Sequence, residues 1–534
     1  MKVMITRLAF CTFFLLYFSI NHAQSIFQKK YGGGADEQPR SLAVTEDNGY
    51  AIVGYSTSFG QGEMDIMLSK FDSSGNILWS KTYGGESDDD PKSLINTSDG
   101  GFLIGGHTKS FGVGDYDIYV IKTDHMGDVI WQKTFGTTAE DLNWYVLETS
   151  DHNYIILGDS RYYNSGLKDI AVIQIDSDGK LMWTKLFSAH QNDWGDMIIE
   201  SNDGNYFIVG ATYSFGAGKH DILLIKMSSS GNILWAKVYG GNAHEYAYCI
   251  IQEANGDLLI GGMTSSFGAG MADNLLIKTD NNGVEIWTKA FGGNKDDIIG
   301  SLFQTSFSGY YLGGFTESFG AGNRDLYLAK FNMSGSLDWF TTYGSLDEEG
   351  TQINNTQLLS SNRIIISGYT NSLAQFMRTA DYEYYVVKTN LSGNSGCNQK
   401  NFNPQIYNPS ISTYNATSSI ATTVPIWQSV SAGESDDATP EEIQLCFTSI
   451  QNFEIPKQFI RIINNPCRDI LKIEMPNSRN IEYEILVNDF IGRTIYKMTN
   501  YEEQQIDVSN LRPGIYFLHF HSSEGTQILK FERQ

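Results

Sequence analysis

The chain has 534 residues, 41% of them hydrophobic and 18% charged, with 53 glycines, 10 prolines, 30 tyrosines and 30 phenylalanines. That composition excludes a disordered or fibrous chain and suits an all-β protein with many turns. A formal net charge of -24, with no basic cluster, argues against a nucleic-acid binder and for a solvated acidic surface.

Residues 1–23 read as a signal peptide. Lys2 and Arg7 precede an apolar run from Leu8 to Ile20, and Ala23 is the small residue before a cleavage point ahead of Gln24. No other stretch is apolar for the roughly 20 residues that a membrane helix needs. Export makes disulfides possible, and Cys397 and Cys446 are the candidate pair because they bracket one irregular segment.

Residues 24–397 are a repeat. Trp79, Trp131, Trp183, Trp235, Trp287 and Trp339 stand 52 residues apart, and Phe27 fills the same place 52 residues before Trp79. Aromatics four residues later (Tyr31, Tyr83, Phe135, Phe187, Tyr239, Phe291, Tyr343) keep the phase. So do glycines such as Gly54, Gly106, Gly158 and Gly210, and a second set such as Gly75, Gly127 and Gly179.

Each unit holds four strand-like runs. In the second unit they cover 77–83, 92–95, 101–108 and 117–122, separated by turn signals such as Ser98-Asp99-Gly100. Four strands per unit, seven units, and apolar sides that only a neighbour can cover predict a seven-bladed β-propeller of four-stranded blades. The chain enters at the first run and leaves after the fourth. If the second run is innermost, the N-terminal run completes the last blade, as in the strand exchange of WD40 propellers; the alternative phase places the first run innermost.

A carboxylate stands ten residues after the Trp position in every unit: Glu37, Asp89, Asp141, Asp193, Glu245, Asp297 and Glu349. A second set follows the Ser-Phe-Gly loops: Asp65, Asp117, Asp169, Asp221, Asp273 and Asp325, with Glu383 in the last unit. The first set is a candidate ligand or cation face. The competing reading is that an acid present in every blade caps its own loop through backbone N–H groups.

Departures from the repeat mark a candidate asymmetric site. Tyr162 stands where other units have Ser-Phe-Gly, and His190 and Trp194 lie at the junction of the third and fourth units. No Ser/His/Asp group, HExxH or CxxC motif stands out, so no catalytic residue, resident metal or cofactor is expected. Weak calcium binding to the acids is the one alternative. The expected function is a non-catalytic propeller that binds an extracellular glycan or protein. The alternative is a glycan-active hydrolase or lyase using the asymmetric loop residues of one face.

Residues 398–448 are rich in Ser, Thr and Asn, lack the repeat, and read as a linker. Residues 449–534 carry a separate strand-rich pattern. It includes Asn465-Pro466, Leu471-Lys472-Ile473, Asp489 and Gly492, then Leu511, Pro513-Gly514-Ile515-Tyr516, and terminal Lys530-Phe531. In order and spacing this segment resembles the type A sorting domain of the Bacteroidetes type IX secretion system. The resemblance implies a small Ig-like β-sandwich, handling by that machinery, and a secreted or cell-surface location.

Overall fold

The computed structural model describes residues 26–162, 167–305, 309–346, 348–351, 355–360, 362–371 and 381–417, together with 420–423, 428–431, 434–437, 441–448, 461–462, 470–474, 483–489, 494–499, 505–522 and 525–533. The expected signal peptide, 1–23, lies outside the described residues. Among these residues every helix-length regular element is a β-strand. The chain divides into two compact units, Met1–Ser449 and Ile450–Gln534.

The first unit is built from repeated antiparallel sheets with the 52-residue period. Glu37–Val44, Tyr50–Ser56 and Asp65–Phe71 pair in chain order, and Ile77–Gly84, from the start of the next repeat, completes their sheet. The arrangement recurs, and seven such sheets are found among the described residues. In the last, Glu383–Asn390 pairs with the N-terminal strand Ile26–Gly32, Phe27 facing Lys388. The two central strands of a sheet, such as Tyr50–Ser56 and Asp65–Phe71, are buried along their whole length. They carry near-continuous apolar runs because both of their faces are covered. The next strand out, Ile77–Gly84, alternates between exposed and buried, because only part of it is covered.

Neighbouring sheets share their cores. Val53 and Leu68 pack with Ile104 and Ile121 of the next sheet. The first sheet packs on the last in the same way, Leu42, Ile52 and Met67 meeting Leu359, Ile365 and Val386. A backbone bond crosses every junction between sheets. Asp89 N donates to Met64 O, Asp141 N to Tyr116 O, and so on to Glu349 N with Arg324 O; Glu37 N donates to Tyr382 O, all at 2.7–2.9 Å.

The recurring Trp, Tyr and Gly make one lock between sheets. Tyr83 donates its hydroxyl to Gly127 O at 2.7 Å, as Tyr31 does to Gly75 O and Tyr239 to Gly283 O, both at 2.6 Å. Gly127 has φ 79°, and a Cβ placed on it would lie 2.8 Å from the Trp79 ring. The hairpin thus needs glycine twice over, for its left-handed backbone and for the ring lying against it. Gly127→Ala should cost about 2 kcal/mol in denaturant unfolding, from the strained backbone and the displaced indole. An unchanged midpoint would mean that Trp79 yields freely.

The expected linker is a correction. Residues 398–448 supply one further outermost strand to each of the seven sheets, in the reverse of chain order. Gln399–Phe402 pairs with Leu337–Tyr343, Gln405–Tyr407 with Glu285–Gly292, and Ser412–Asn415 with Ile233–Gly240. Ala421–Thr423, Gln428–Ser431 and Glu434–Asp437 continue onto the third, second and first sheets. Glu441–Thr448 ends the lap against Ile26–Gly32. The physical reason is that an exposed sheet edge asks for backbone N–H and C=O groups, not for apolar side chains. A Ser/Thr/Asn-rich segment can meet that demand and still face water.

Cys397 is disulfide-bonded. Cys446 stands opposite Gln28 in the final pairing, and the Gln28 amide donates to Cys397 O. Cys249 is a free, buried thiol whose pKa burial pushes up to about 12.

The second unit has two antiparallel sheets. One joins Arg461–Ile462, Ile470–Glu474 and Gln505–Asp507. The other joins Thr494–Thr499, Tyr483–Asp489, Gly514–Ser522 and Gly525–Arg533. Leu471, Ile485, Val487, Val508 and Leu518 are fully buried. Of the sorting-motif residues, Asp489 pairs with Tyr516 and Lys530 with Phe517. The Tyr516 hydroxyl donates to Arg512 O at 2.9 Å, and Leu511 N donates to Val508 O. Asn465, Pro466 and Gly492 lie outside the described residues.

Candidate functional site

The seven carboxylates of the proposed ligand face are buried, none more than 3% exposed. Six of them close their own loops. Gly33 N donates to Glu37 at 2.6 Å, Gly85 N to Asp89 at 2.8 Å, Thr137 N to Asp141 at 2.6 Å and Gly293 N to Asp297 at 2.7 Å. Gly241 N and Ser345 N do the same for Glu245 and Glu349, and Ser214 and Thr212 donate their hydroxyls to Asp193. A solvent-facing acid ring is therefore not what these residues form. A carboxylate enclosed by donors four residues away is a loop cap. The second acid set behaves alike: Val113 N and Gly114 N both donate to Asp117 at 2.8 Å, and Lys30 pairs with Glu383.

Of the asymmetric candidates, Tyr162 is 55% exposed, and His190 is exposed with its amide donating to Ser214 Oγ at 3.1 Å. Trp194 is half-buried and belongs to a cluster that the sequence did not assemble.

That cluster is built around a bulge in the first strand of six of the sheets. The pairing register shifts between Pro39 and Ser41, Pro91 and Ser93, Asn143 and Tyr145, Gly195 and Met197, Ala247 and Cys249, and Ile299 and Ser301. The extra residues are Arg40, Lys92, Trp144, Asp196, Tyr248 and Gly300. The recurring glycine lies opposite each bulge. A Cβ on Gly210 would run into Trp194 O, and one on Gly262 into Tyr246 O. The backbone device is thus the same in these sheets, while the side chain it carries differs each time.

Unlike residues from five sheets form one continuous network. Asp90 meets Arg40 Nε at 3.1 Å, Lys92 Nζ at 2.6 Å and His107 Nε2 at 3.8 Å. The ammonium groups of Lys92 and Lys168 each lie 5.6 Å from the Trp144 ring centre. Trp144 Nε1 donates to Asp159 Oδ2 at 2.6 Å, and Lys168 Nζ lies 3.2 Å from the same oxygen. Asp196 follows, close enough to Asp159 and Lys168 to feel both charges, with a hydrogen bond to Trp194. Trp194 then meets Tyr246 at 5.8 Å between ring centres, and Tyr246 stacks on Tyr248 at 6.3 Å.

The electrostatics split the acids. Burial opposes ionisation of Asp90, yet the charges of Lys92 and Arg40 outweigh it and hold the carboxyl at about 2. Burial and Lys92 push His107 down to about 3, so it is neutral at pH 7 and its approach to Asp90 is a polar contact, not an ion pair. Burial raises Asp159 against the pull of Lys168, and burial with the Asp159 charge raises Asp196 well above the carboxylate range. Asp159 Oδ1, Asp196 Oδ2 and His107 Nδ1 are buried without a hydrogen-bond partner. Such atoms are costly unless a ligand or water completes them.

The sequence signal for this site is the residue thirteen places after the Trp position: Arg40, Lys92, Trp144, Asp196, Tyr248 and Gly300. Recurrence drew the eye to the acids instead.

Residues 462–531 match the family described as "Secretion system C-terminal sorting domain". This tail supports a secreted or cell-surface protein handled by the type IX system. The chain is 22% identical over 359 residues to the regulatory protein FlaEY of Caulobacter vibrioides, a match covering 61% of this chain and 35% of that protein. It thus spans about a third of that relative's length. Among solved structures, Sqt1 from Chaetomium thermophilum is similar at 12% identity and a TM-score of 0.35, covering 69% of this chain and 98% of that one. The extracellular domain of a hybrid two-component system from B. thetaiotaomicron is similar at 12% identity and a TM-score of 0.15, covering 93% and 84%.

Proposed function

We propose that this chain is an exported, closed, seven-bladed β-propeller whose central network binds an extracellular glycan without turning it over. Closure is supported by the seven backbone seams, the last of them Glu37 N to Tyr382 O. In that ring the bulged strands are innermost, and Arg40, Lys92, Trp144, Asp196 and Tyr248 line one mouth of the axis. We further propose that Cys397 bonds Cys446, closing the outer lap of strands on itself, and that the tail is an Ig-like sandwich.

The observation that carries the glycan reading is the juxtaposition of half-buried Trp144, Trp194, Tyr246 and Tyr248 with carboxylate oxygens lacking a donor. A sugar offers C–H faces for aromatic rings and hydroxyl donors for carboxylates. The full chain, screened on a glycan array and then titrated with each hit, should bind at least one glycan. Trp144→Ala should weaken that binding about tenfold or more, the scale of 1.4 kcal/mol. Unchanged affinity in Trp144→Ala would overturn the site.

A second reading is favoured by Asp196, whose carboxyl pKa burial and the neighbouring Asp159 charge raise well above the usual range. A proton donor and an ionisable partner are the pieces of glycoside hydrolysis or elimination. Release of shortened sugars in the same titrations would establish that reading and end the non-catalytic one.

A further inference from the structure

We propose that His220, His244 and Tyr246 bind one divalent transition-metal ion of the borderline class, copper or zinc. His220 and His244 precede the strands Asp221–Met227 and Glu245–Gln252 of adjacent sheets and form an isolated parallel bridge. Two other seams fill this place with complementary groups. Arg324 faces Glu348, NH1 to Oε1 at 3.7 Å, and Lys168 N donates to Asn192 Oδ1 at 2.8 Å. Here two like side chains meet instead.

Their donor atoms converge. His220 Nδ1 lies 2.6 Å from His244 Nδ1 and 2.6 Å from Tyr246 Oη. An imidazole nitrogen has one in-plane valence, either a lone pair or an N–H. It can satisfy one of these neighbours and leaves the other in an unshared short contact. A cation removes the conflict, because all three atoms can turn lone pairs to one point. Around a tetrahedral ion with bonds near 2.0–2.1 Å, donors sit about 3.3 Å apart, so each of the two 2.6 Å contacts would open by less than an ångström.

The surroundings suit a metal. His220 is buried. The Tyr213 ring covers it at 3.7 Å and Trp194 at 5.1 Å between centres. Among the described residues no three His, Cys, Asp or Glu side chains converge; this group reaches three donors through a phenol. The two imidazoles would bind through their Nδ1 lone pairs, any proton there passing to solvent, and the phenol would lose its proton to solvent as its oxygen takes the metal. A fourth position stays open for water or a ligand. Two nitrogens and one phenolate oxygen fit copper or zinc better than calcium. This site does not depend on glycan binding.

The full chain should be titrated at pH 7 with CuCl2 and, separately, ZnCl2. One tight equivalent of at least one ion is expected, weakened about 100-fold in the His220→Gln/His244→Gln pair. With copper, a visible phenolate-to-metal band should appear and be absent from Tyr246→Phe, which removes one hydroxyl and keeps the test open if the double variant misfolds. No binding of either ion, undiminished binding in the double variant, or a copper band that persists in Tyr246→Phe would overturn the assignment.

Discussion

A chain ending at residue 397 should lose most of the stability that a chain ending at 448 has. The shorter chain lacks the outermost strand of every sheet, from Gln399–Phe402 to Glu441–Thr448. Each lost strand removes several backbone pairs worth roughly 1 kcal/mol net apiece, even before edge exposure is counted. The N-terminal strand suffers twice. Ile26–Gly32 is held between Glu383–Asn390 and Glu441–Thr448, and truncation turns it into an edge. The entropy of ordering the extra strands offsets most of that sum, so a deficit on the order of 5–10 kcal/mol is expected, with self-association through the seven bared edges. Denaturant midpoints and light scattering of the two chains decide it. Matching midpoints in monomeric samples would reduce the extra strands to ornament.

The first unit should also be more stable at pH 5 than at pH 8. Burial pushes Asp141, Asp221 and Asp273 up to about 6 and Glu349 to about 7, their loop hydrogen bonds opposing it only in part. Unfolded carboxyls titrate near 4. The folded state therefore holds more protons in between. The stabilisation is complete below about 4 and is lost as pH rises through 6 to 7. Acids shifted the other way act at lower pH. Asp99, drawn down to about 2 by Lys122 and its Thr97 bond despite burial, loses its contribution only as pH falls below 4. The four raised groups together should cost on the order of 5 kcal/mol between pH 5 and 8; His107 and His220, held down at about 3 and 4, each return about 2 kcal/mol as the unfolded imidazoles lose their protons near 6.5, so a net loss on the order of 2 kcal/mol is expected. Asp141→Asn should flatten the profile. A midpoint that is level or rises toward pH 8 would refute this account.

Much of the fold was legible because the contacts between sheets are identical in kind. Trp79 on Gly127 and Tyr83 on Gly127 O recur at every junction that keeps those residues, so the sequence repeats where the packing repeats. The sorting tail was legible for a similar reason, its short motif covering most of one small unit. The central network was not legible, since a search for sameness passes over Arg40, Lys92, Trp144 and Asp196. The recurring acids misled for the complementary reason. Asp89 looks the same in sequence whether it faces solvent or its own Gly85 amide, and only burial separates the two. The outer strands were hidden because edge pairing uses the backbone, and the composition of 398–448 speaks only of side chains.

The return lap has a kinetic meaning. Residues from opposite ends of the unit, Phe27 and Phe447, face each other in one ladder. As the polypeptide emerges from its N-terminus, Ile26–Gly32 waits unpaired until 383–390 arrives, and its second side waits until 441–448. Such late, distant contacts make closure slow and tie it to completion of the chain. The unit thus behaves like a drawstring bag, slack during synthesis and translocation, and pulled tight by its last segment.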